Sequence, residues 1–307
     1  MSAFEFGKVA VLVGGISAER EVSLLSGAAV FDALVAEGVD AHMIDANPDN
    51  IGALQEQGFD RAFIVLHGRW GEDGVVQGAL EAVGMPYTGS GVLGCALAMD
   101  KLRCKQVWQA LGLPTARYKV LSSDKDLEEV IDALGLPLFL KPTREGSSVG
   151  IGKVNHADEL LKVYQNAQQC GGDVLAEEYL SGAEVTVGIL HGKALPAITM
   201  RTNNEFYDYQ AKYESDDTVY DCPAGLGEEL ESKVRGLALA AAQAVDVTGW
   251  GRVDMILDAQ RQPMLLEVNT VPGMTSHSLV PIAAAENGLS FAMLVKEILK
   301  TSMRGVA

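Results

Sequence analysis

Four polar side chains in the last third of the chain have the residue types and spacing of a metal site. Arg252 and Asp254 lie in one strand-like segment, Glu267 and Asn269 lie in the next, and a polar turn at 259–262 separates the two. Because side chains alternate between the faces of a strand, a hairpin would place all four on one surface. Two carboxylates and an amide are suitable ligands for Mg²⁺. The positively charged arginine could stabilise negative charge that develops during a reaction. A solvated polar face is the alternative, but the apolar neighbours count against it.

A lysine followed by a Gly/Ser-rich loop predicts a second charged-ligand segment. Lys141 lies in the strand-like stretch 136–142, and the loop 144–152 follows it. The backbone N–H groups and hydroxyls of such a loop approach phosphate closely, and the lysine adds a point charge. The loop is not a Walker A motif, since Gly-Lys-Ser/Thr does not follow at the required spacing. A flexible linker is the alternative, but the flanking strands and the lysine favour a loop that covers phosphate.

The first hundred residues alternate between strand-like and helix-like segments. Apolar runs at 9–13, 41–44 and 63–66 are typical of buried strands, and apolar residues recur at helical spacing over 21–37. Such alternation predicts a parallel sheet covered by helices, with ligands at the carboxyl ends of the strands. The turn after the first strand lacks the G-x-G-x-x-G pattern, so the sequence does not favour a dehydrogenase.

Two of these strand ends carry polar residues of interest. Glu19 follows the first strand and His67 follows the third. A lone Glu or His is more often a helix cap or a surface group, but both residues lie at the edge where a parallel sheet binds its ligands. We therefore expect Glu19 to bind an ammonium group and His67 to orient a carboxylate.

Composition excludes several classes of protein. The chain has 307 residues, 48% of them hydrophobic, which predicts two or three globular domains. A formal net charge of −17 argues against a nucleic-acid-binding surface. We expect no membrane span, because no apolar run reaches ~18 residues, and no signal peptide, because the first residues lack its pattern. The cysteines are scattered without metal or redox spacing, which predicts free thiols in a reducing cytoplasm (Cys95, Cys104, Cys170 and Cys222).

Four segments taken together make the interpretation more specific. They are Gly14-Gly15-Ile16-Ser17-Ala18-Glu19-Arg20-Glu21-Val22-Ser23, His67-Gly68-Arg69-Trp70-Gly71-Glu72-Asp73-Gly74, Lys141-Pro142-Thr143-Arg144-Glu145-Gly146-Ser147-Ser148 and Glu267-Val268-Asn269-Thr270. In this order and at these spacings they resemble the D-alanine–D-alanine ligase family of the ATP-grasp superfamily. The resemblance covers nearly the whole chain.

The resemblance implies a fold that is α/β in its first part and α+β in the rest. Residues 1–100 are expected to form a Rossmann-like N-terminal domain. Residues 101–183 and 184–307 are expected to form the central and C-terminal ATP-grasp domains, with the metal site and a lid loop in the last. The two ATP-grasp domains of the family clasp ATP between two sheets.

The resemblance also assigns the nucleotide site. Asp254, Glu267 and Asn269 match the ligands of two Mg²⁺ (or Mn²⁺) ions, with Glu267 bridging both. The residues that match contacts to the ATP phosphates are Lys101, Lys141 and Lys212. Those that match contacts to adenine and ribose are Glu177, Tyr179, Leu180 and Glu184.

A further set of positions matches the groups that bind and activate the amino acids. Glu19 matches the group that binds the ammonium of the first D-alanine. Ser278 and Leu279 match the pocket for the carboxylate of the second. The remaining catalytic positions are the oxyanion stabilisers Arg252 and Gly273, and the lid residues Ser147 and Tyr213, which link to Glu19.

The implied reaction joins two D-alanines through a D-alanyl phosphate, with ADP and phosphate as products, for peptidoglycan precursors. A cytoplasmic homodimer is expected, with small-molecule substrates and no nucleic-acid or membrane partner. A D-alanine–D-lactate or D-serine ligase would share nearly all these residues, although Tyr213 favours the D-alanine form. A non-catalytic nucleotide-binding module is a further alternative. The three metal-ligand positions and Arg252 speak against it.

Overall fold

The computed structural model describes residues 6–146, 149–201 and 219–303. Three of the expected site residues, Ser147, Lys212 and Tyr213, lie outside these ranges. Within them the chain forms three β-sheets with helices packed around them. The sheets follow one another along the sequence, so each is built from a continuous part of the chain.

The first sheet has the predicted parallel arrangement. Its strand order is β2-β1-β3, and both neighbours run parallel to β1. The third strand pairs two residues earlier than predicted, since its register with β1 ends at Ile64 while Val65 and Leu66 remain buried. Apolarity marks burial rather than pairing, which explains the shift. The elements are β1 (Val9–Gly14), α1 (Arg20–Ala36), β2 (Ala41–Ala46), β3 (Arg61–Ile64), α2 (Val75–Ala82) and α3 (Val92–Met99).

The second sheet is antiparallel, in the order β4-β7-β5-β6. The helix before it begins at Lys101, where the side chain of Asp100 accepts a hydrogen bond from the N–H of Arg103 at 3.1 Å and so caps the first turn. A small core fills the space between this sheet and two of its helices. The elements are α4 (Lys101–Ala110), β4 (Tyr118–Leu121), α5 (Leu127–Leu134), β5 (Leu138–Pro142), β6 (Gly152–Val154), α6 (Leu160–Gln168) and β7 (Val174–Glu178).

The third sheet contains the predicted hairpin. Its strands are antiparallel in the order β10-β9-β8-β11-β12. Arg252 pairs with Asn269, and Asp254 pairs with Glu267, so the prediction that these four residues meet is confirmed. The elements are β8 (Glu184–Leu190), β9 (Lys193–Arg201), β10 (Val219–Asp221), α7 (Glu228–Ala244), β11 (Trp250–Leu257), β12 (Pro263–Asn269), α8 (Leu279–Glu286) and α9 (Phe291–Lys300).

The last helix, α9, packs on α1 at the other end of the chain, while α8 packs on β8 and β9 of its own sheet. One continuous core contains buried residues of β1 and β3 together with Leu294, Val295 and Ile298 of α9. The backbone N–H of Met274 donates to Ser26 Oγ at 3.1 Å, which fixes the loop after β12 against α1. The loops that follow β1, β3 and β12 are therefore brought together.

No single helix among the described residues is long and apolar enough to cross a membrane. One bent pair of helices, Leu279–Glu286 with Phe291–Met303, has the length and apolar composition of a membrane span, but only these two properties suggest one. Most of its apolar residues belong to the core described above.

Candidate active site

Two adjacent clefts collect the described residues that the sequence analysis singled out. Arg252, Glu267 and Leu279 line both clefts, so the two are parts of one site. The first cleft lies between the second and third sheets and is also lined by Lys101, Lys141, Glu177, Tyr179, Leu180, Glu184 and Asp254. The second lies where the loops after β1, β3 and β12 meet and is also lined by Glu19, His67, Asn269, Gly273 and Ser278.

Hydrogen bonds orient Asp254 on the shared face of the hairpin. Arg252 donates to both of its carboxylate oxygens, from Nε at 2.8 Å and from Nη2 at 2.7 Å. Asn269 Nδ2 donates at 2.9 Å, and Thr186 Oγ1 on the adjacent strand donates at 2.5 Å. Four bonds from three side chains hold this carboxylate in one orientation. It stands directly opposite Glu267 in the strand register.

Lys101 connects the hairpin to the Gly/Ser-rich loop. Its Nζ lies 3.1 Å from Glu267 Oε2 and donates to the Glu145 carbonyl at 2.6 Å. Burial alone would lower the pKa of Lys101, but Glu267 raises it above its usual value, so the lysine stays charged. A permanent cation therefore lies between the loop and the carboxylates.

Lys105 is a buried residue that the sequence analysis missed. Its Nζ lies 3.1 Å from Glu177 Oε1, and Lys141 Nζ lies 2.7 Å from Glu177 Oε2. Burial alone would raise the pKa of Glu177, but the two lysines lower it to about 2. Each carboxylate oxygen of Glu177 thus contacts one lysine. Glu177 thereby holds the Lys141 ammonium group at the cleft. Lys105 follows Lys101 by one helical turn, a spacing that signals a shared face.

Part of the first cleft is apolar. Phe139, Met200, Ile256 and Leu266 line it, and the rings of Phe139 and Tyr179 lie 5.9 Å apart between centroids. Such a slot accepts a planar heterocycle on its faces.

The charge of Glu178, at the edge of this slot, is compensated by Arg117, whose Nε lies 2.7 Å away. Lys105 and Lys141 do the same for Glu177. Two neighbouring carboxylates on β7 are thus both paired with cations.

His67 presents a hydrogen-bond acceptor to the second cleft. Burial lowers the pKa of His67, and a hydrogen bond to the Val271 backbone raises it by a smaller amount, so that the resulting pKa is about 4. A backbone group that raises the pKa of imidazole is a carbonyl that accepts from a ring N–H, so the neutral ring has one nitrogen left as an acceptor. His67 Nε2 is buried without a partner in the described part of the chain. This arrangement suits an N–H or O–H group better than the carboxylate we expect from the sequence.

The Gly/Ser-rich loop approaches Glu19 at Gly146. A Cβ atom on Gly146 would lie 2.5 Å from Glu19 Oε1, closer than any real side chain allows. A side chain at 146 would therefore displace the Glu19 carboxylate from this position. Ser17 fixes the other side, since its Oγ donates to the His67 carbonyl at 2.7 Å and accepts from the Glu19 N–H at 3.1 Å.

Glu72 is the second functional candidate that the sequence analysis did not single out. It lines the second cleft and is partly buried. Gly68 N–H donates to its Oε2 at 2.6 Å, and Val271 N–H donates to its Oε1 at 3.3 Å. Burial and the nearby Glu19 raise the pKa of Glu72 to about 8. Its place in the segment 67–74 was the available signal, but no spacing rule marks it.

The remaining side of the second cleft is the loop before α8. Ser278 accepts from the Thr275 N–H at 2.9 Å, and its Oγ lies 2.9 Å from the position of a Cβ on Gly273. Leu279 is the first residue of α8, so backbone N–H groups of a helix N-terminus face this region. Such groups suit a carboxylate.

Comparisons with known proteins identify the family of the chain. The model of the D-ala D-ala ligase C-terminus matches residues 107–300, and that of the N-terminus matches residues 50–90. The chain is 51% identical to the D-alanine–D-alanine ligase of Laribacter hongkongensis, with 98% of this chain and 97% of that protein covered. It is 55% identical to the ligase of Stutzerimonas stutzeri, with 97% and 95% covered.

Solved structures give the same result. The crystal structure of D-alanine–D-alanine ligase from Bacillus anthracis matches with a TM-score of 0.86 at 35% identity and covers 97% of this chain and 98% of its own. Its complex with ATP matches at 0.84 over 97% of each chain. The VanG D-Ala:D-Ser ligase of Enterococcus faecalis also matches at 0.84, with 29% identity and 97% and 100% covered. The predicted fold class is confirmed, and the chain belongs to the D-alanine–D-alanine ligase family.

Proposed function

We propose that the chain joins two D-alanines into D-alanyl-D-alanine for peptidoglycan synthesis, with ATP converted to ADP and phosphate. The observation that carries this proposal is the sharing of Arg252 and Glu267 by a nucleotide-shaped cleft and a polar cleft for small zwitterions. A carboxylate is a poor acylating agent because its leaving group would be oxide. Phosphorylation of the first D-alanine solves this problem, and it requires the phosphate end of one cleft to meet the carboxylate end of the other.

ATP occupies the first cleft in this proposal. The apolar part takes adenine beside Tyr179 and Leu180, with Glu184 at the ribose. Lys101 and Lys141 face the phosphates as point charges and position the γ-phosphoryl group in line with its acceptor. Lys212 remains a prediction from the resemblance.

The residues of the hairpin fit two Mg²⁺ or Mn²⁺ ions. No three His, Cys, Asp or Glu side chains cluster as metal ligands within the described ranges. Asp254 and Glu267 nevertheless stand side by side, and Asn269 adds an amide oxygen as the third ligand. Mg²⁺ commonly takes one or two carboxylates and fills its shell with phosphate and water. When bound, the ions would neutralise charge on the triphosphate.

The two amino acids occupy the second cleft. Glu19 binds the ammonium of the first D-alanine, and Ser278 with the N-terminus of α8 at Leu279 binds the carboxylate of the second. The amine of the second substrate attacks the acyl carbon, and phosphate leaves. Arg252 and the Gly273 N–H stabilise the oxyanion that forms, at about 3 kcal/mol for each well-placed donor.

Ser147 and Tyr213 complete the proposed site as lid residues that link to Glu19. Two described features support this placement. Gly146 approaches Glu19, and the pairing of Arg201 with Val219 lies next to the cleft residue Met200. A closed lid keeps water from the acyl phosphate.

An ADP-release assay with a panel of D- and L-amino acids and D-lactate tests the function. D-alanine should give dipeptide, ADP and phosphate in equal amounts, identified by mass, and L-alanine should give none. AMP and pyrophosphate would indicate an adenylate intermediate and refute the acyl-phosphate route. ADP release that ignores every amino acid would favour a nucleotide-binding module without ligase activity.

A D-alanine–D-serine ligase is the second candidate. The observation in its favour is the match to the VanG D-Ala:D-Ser ligase. The same panel separates the candidates, because D-serine supplied with D-alanine would then dominate the mixed product. A dominant D-lactate product would instead indicate the ester-forming alternative.

The proposal extends to domains and location. We place domains at 1–100, 101–183 and 184–307, and the division of the strands into three sheets supports these bounds. In this division α9 of the last domain packs on α1 of the first. Use of ATP and four free cysteines favour the cytoplasm.

A homodimer is proposed from an apolar surface on α2 and α3. Val75 and Leu93 line the same surface cleft and are 55% and 58% exposed. Exposed apolar patches of this kind mark interaction sites. Light scattering on a size-exclusion column should give a dimer that Leu93→Asp dissociates. Leu161→Asp, at a 48% exposed leucine on α6, is the control and should leave the dimer intact. A monomeric wild-type chain would refute the proposal.

A further inference from the structure

The ligation just described leaves one proton unassigned. The second amino acid arrives as an ammonium ion, which has no lone pair and cannot attack the acyl carbon. A group in the second cleft must therefore take a proton from this ammonium. The candidates there that titrate or carry charge are Glu19, His67, Glu72, Arg252, Glu267 and His277.

Most of these groups are unsuited to the task. Glu19 is assigned to the ammonium of the first substrate, and Glu267 pairs with Lys101. The pKa of His67 is lowered to about 4, which makes its free nitrogen an acceptor of hydrogen bonds but a weak base. Arg252 is a cation already. His277 is exposed at the edge of the cleft.

Glu72 has the position that the step requires. It lines the cleft together with Gly273 and Ser278, which lie on the side assigned to the second substrate. Two backbone N–H groups, from Gly68 at 2.6 Å and Val271 at 3.3 Å, fix its carboxyl group against the loop that carries Gly273. Glu72 is only partly buried, so it faces the cleft while its backbone contacts hold it in place.

We propose that Glu72 is the catalytic base that deprotonates the ammonium of the second D-alanine. An N–H bond of the ammonium breaks, its proton goes to a Glu72 oxygen, and the electron pair stays on nitrogen. The nitrogen then forms the C–N bond to the acyl carbon, which gives the tetrahedral oxyanion. As the oxyanion collapses, the bond between the acyl carbon and the phosphate oxygen breaks, and the departing phosphate takes the second N–H proton and leaves as hydrogen phosphate. Glu72 returns its proton to water after the products have left and the cleft has reopened. This step rests on the proposed ligation.

The electrostatic setting agrees with this role. Burial and Glu19 raise the pKa of Glu72 to about 8, although the N–H groups of Gly68 and Val271, and then Arg252, oppose the rise. A base whose pKa lies near the working pH combines a sufficient population of the basic form with a sufficient affinity for the proton. An ordinary glutamate would hold a proton from an ammonium ion too weakly.

The decisive experiment replaces the nucleophile as well as the residue. Hydroxylamine is uncharged at neutral pH, so it captures D-alanyl phosphate as a hydroxamate without needing a base. Glu72→Gln should lower dipeptide formation by ~100-fold or more, the usual contribution of a general base. Its ATP-dependent hydroxamate formation should stay within about two-fold of wild type, because the first step does not use Glu72. Glu56→Gln, at an exposed glutamate remote from the cleft residues in sequence, is the control and should leave both rates unchanged.

Two further measurements keep the outcomes distinct. Glu72→Asp keeps a carboxylate and should recover part of the rate of dipeptide formation. The ascending limb in the pH profile of that rate should be lost in Glu72→Gln but kept in Glu72→Asp. Equal loss of dipeptide and hydroxamate in Glu72→Gln would show that Glu72 only organises the loops, and would overturn the proposal. A rate of dipeptide formation in Glu72→Gln within ten-fold of wild type would also overturn the proposal. Failure of the ligation itself is separate, because the wild-type chain would then form neither product from D-alanine.

Discussion

Replacing Glu177 by glutamine removes the anion between two lysines without changing the size of the side chain. The side chains of Lys105, Glu177 and Lys141 are 0%, 3% and 14% exposed, so water cannot compensate for the lost charge. Breaking a buried ion pair by removing one partner costs about 3–5 kcal/mol. The fall in the pKa of Glu177 from 4.5 to about 2 corresponds to roughly 3 kcal/mol, which is the same scale.

Equilibrium unfolding in urea at neutral pH measures this cost. Glu178→Gln is the matched control, because Glu178 is the next residue on β7 and its partner Arg117 is 63% exposed. That surface pair should contribute less than about 1 kcal/mol to the free energy of unfolding. Equal losses for the two variants would refute the reasoning, since burial would then have no effect on the value of the pair.

The pH dependence gives the sign of the effect. The pKa of Glu177 is lower in the folded chain than in the unfolded chain, so its stabilisation is complete above the unfolded value of 4.5. It is lost as the pH falls from 4.5 towards 2. The difference in free energy of unfolding between wild type and Glu177→Gln should therefore shrink over this range. A constant difference down to pH ~3 would contradict the assigned protonation state.

Two further substitutions test the clefts. Glu267→Gln removes the charge assigned to two cations, and ADP release measured over a range of Mg²⁺ concentrations should fall at least ~100-fold; near wild-type turnover would refute the metal assignment. Gly146→Ala places a Cβ 2.5 Å from Glu19 Oε1, so the KM for the first D-alanine should rise by ~10- to 100-fold. Gly52→Ala, where a Cβ would meet nothing within 4 Å, should leave that KM unchanged. An unchanged KM in Gly146→Ala would mean that the loop does not approach Glu19 in solution.

The features that the sequence predicted depend on local pattern. Alternation along two segments predicts the hairpin and the shared face of Asp254 and Glu267, and the register confirms both. Apolar runs likewise predict the parallel first sheet, although they do not show where the pairing of β3 ends. Local patterns identify faces and elements because the backbone period alone sets them.

The features that the sequence did not predict depend on contacts between distant segments. Glu177 on β7 and Lys105 on α4 meet although they lie far apart in the sequence, and nothing around either residue indicates this pairing. The chemistry of His67 depends in the same way on the backbone of Val271. The packing of α9 on α1 also joins residues from opposite ends of the chain.

A chain of hydrogen bonds explains how the two sheets of the first cleft keep their functional residues aligned. Lys105 Nζ donates a hydrogen bond to Thr115 Oγ1 at 2.6 Å. Thr115 Oγ1 in turn donates to the Leu265 carbonyl on β12 at 2.8 Å. Lys105 contacts Glu177, and Glu177 holds Lys141. The strand that carries Glu267 is thereby connected to the lysine assigned to phosphate. A displacement of one sheet against the other would break a buried polar contact, which costs about 1–3 kcal/mol, so the chain of contacts opposes such a displacement.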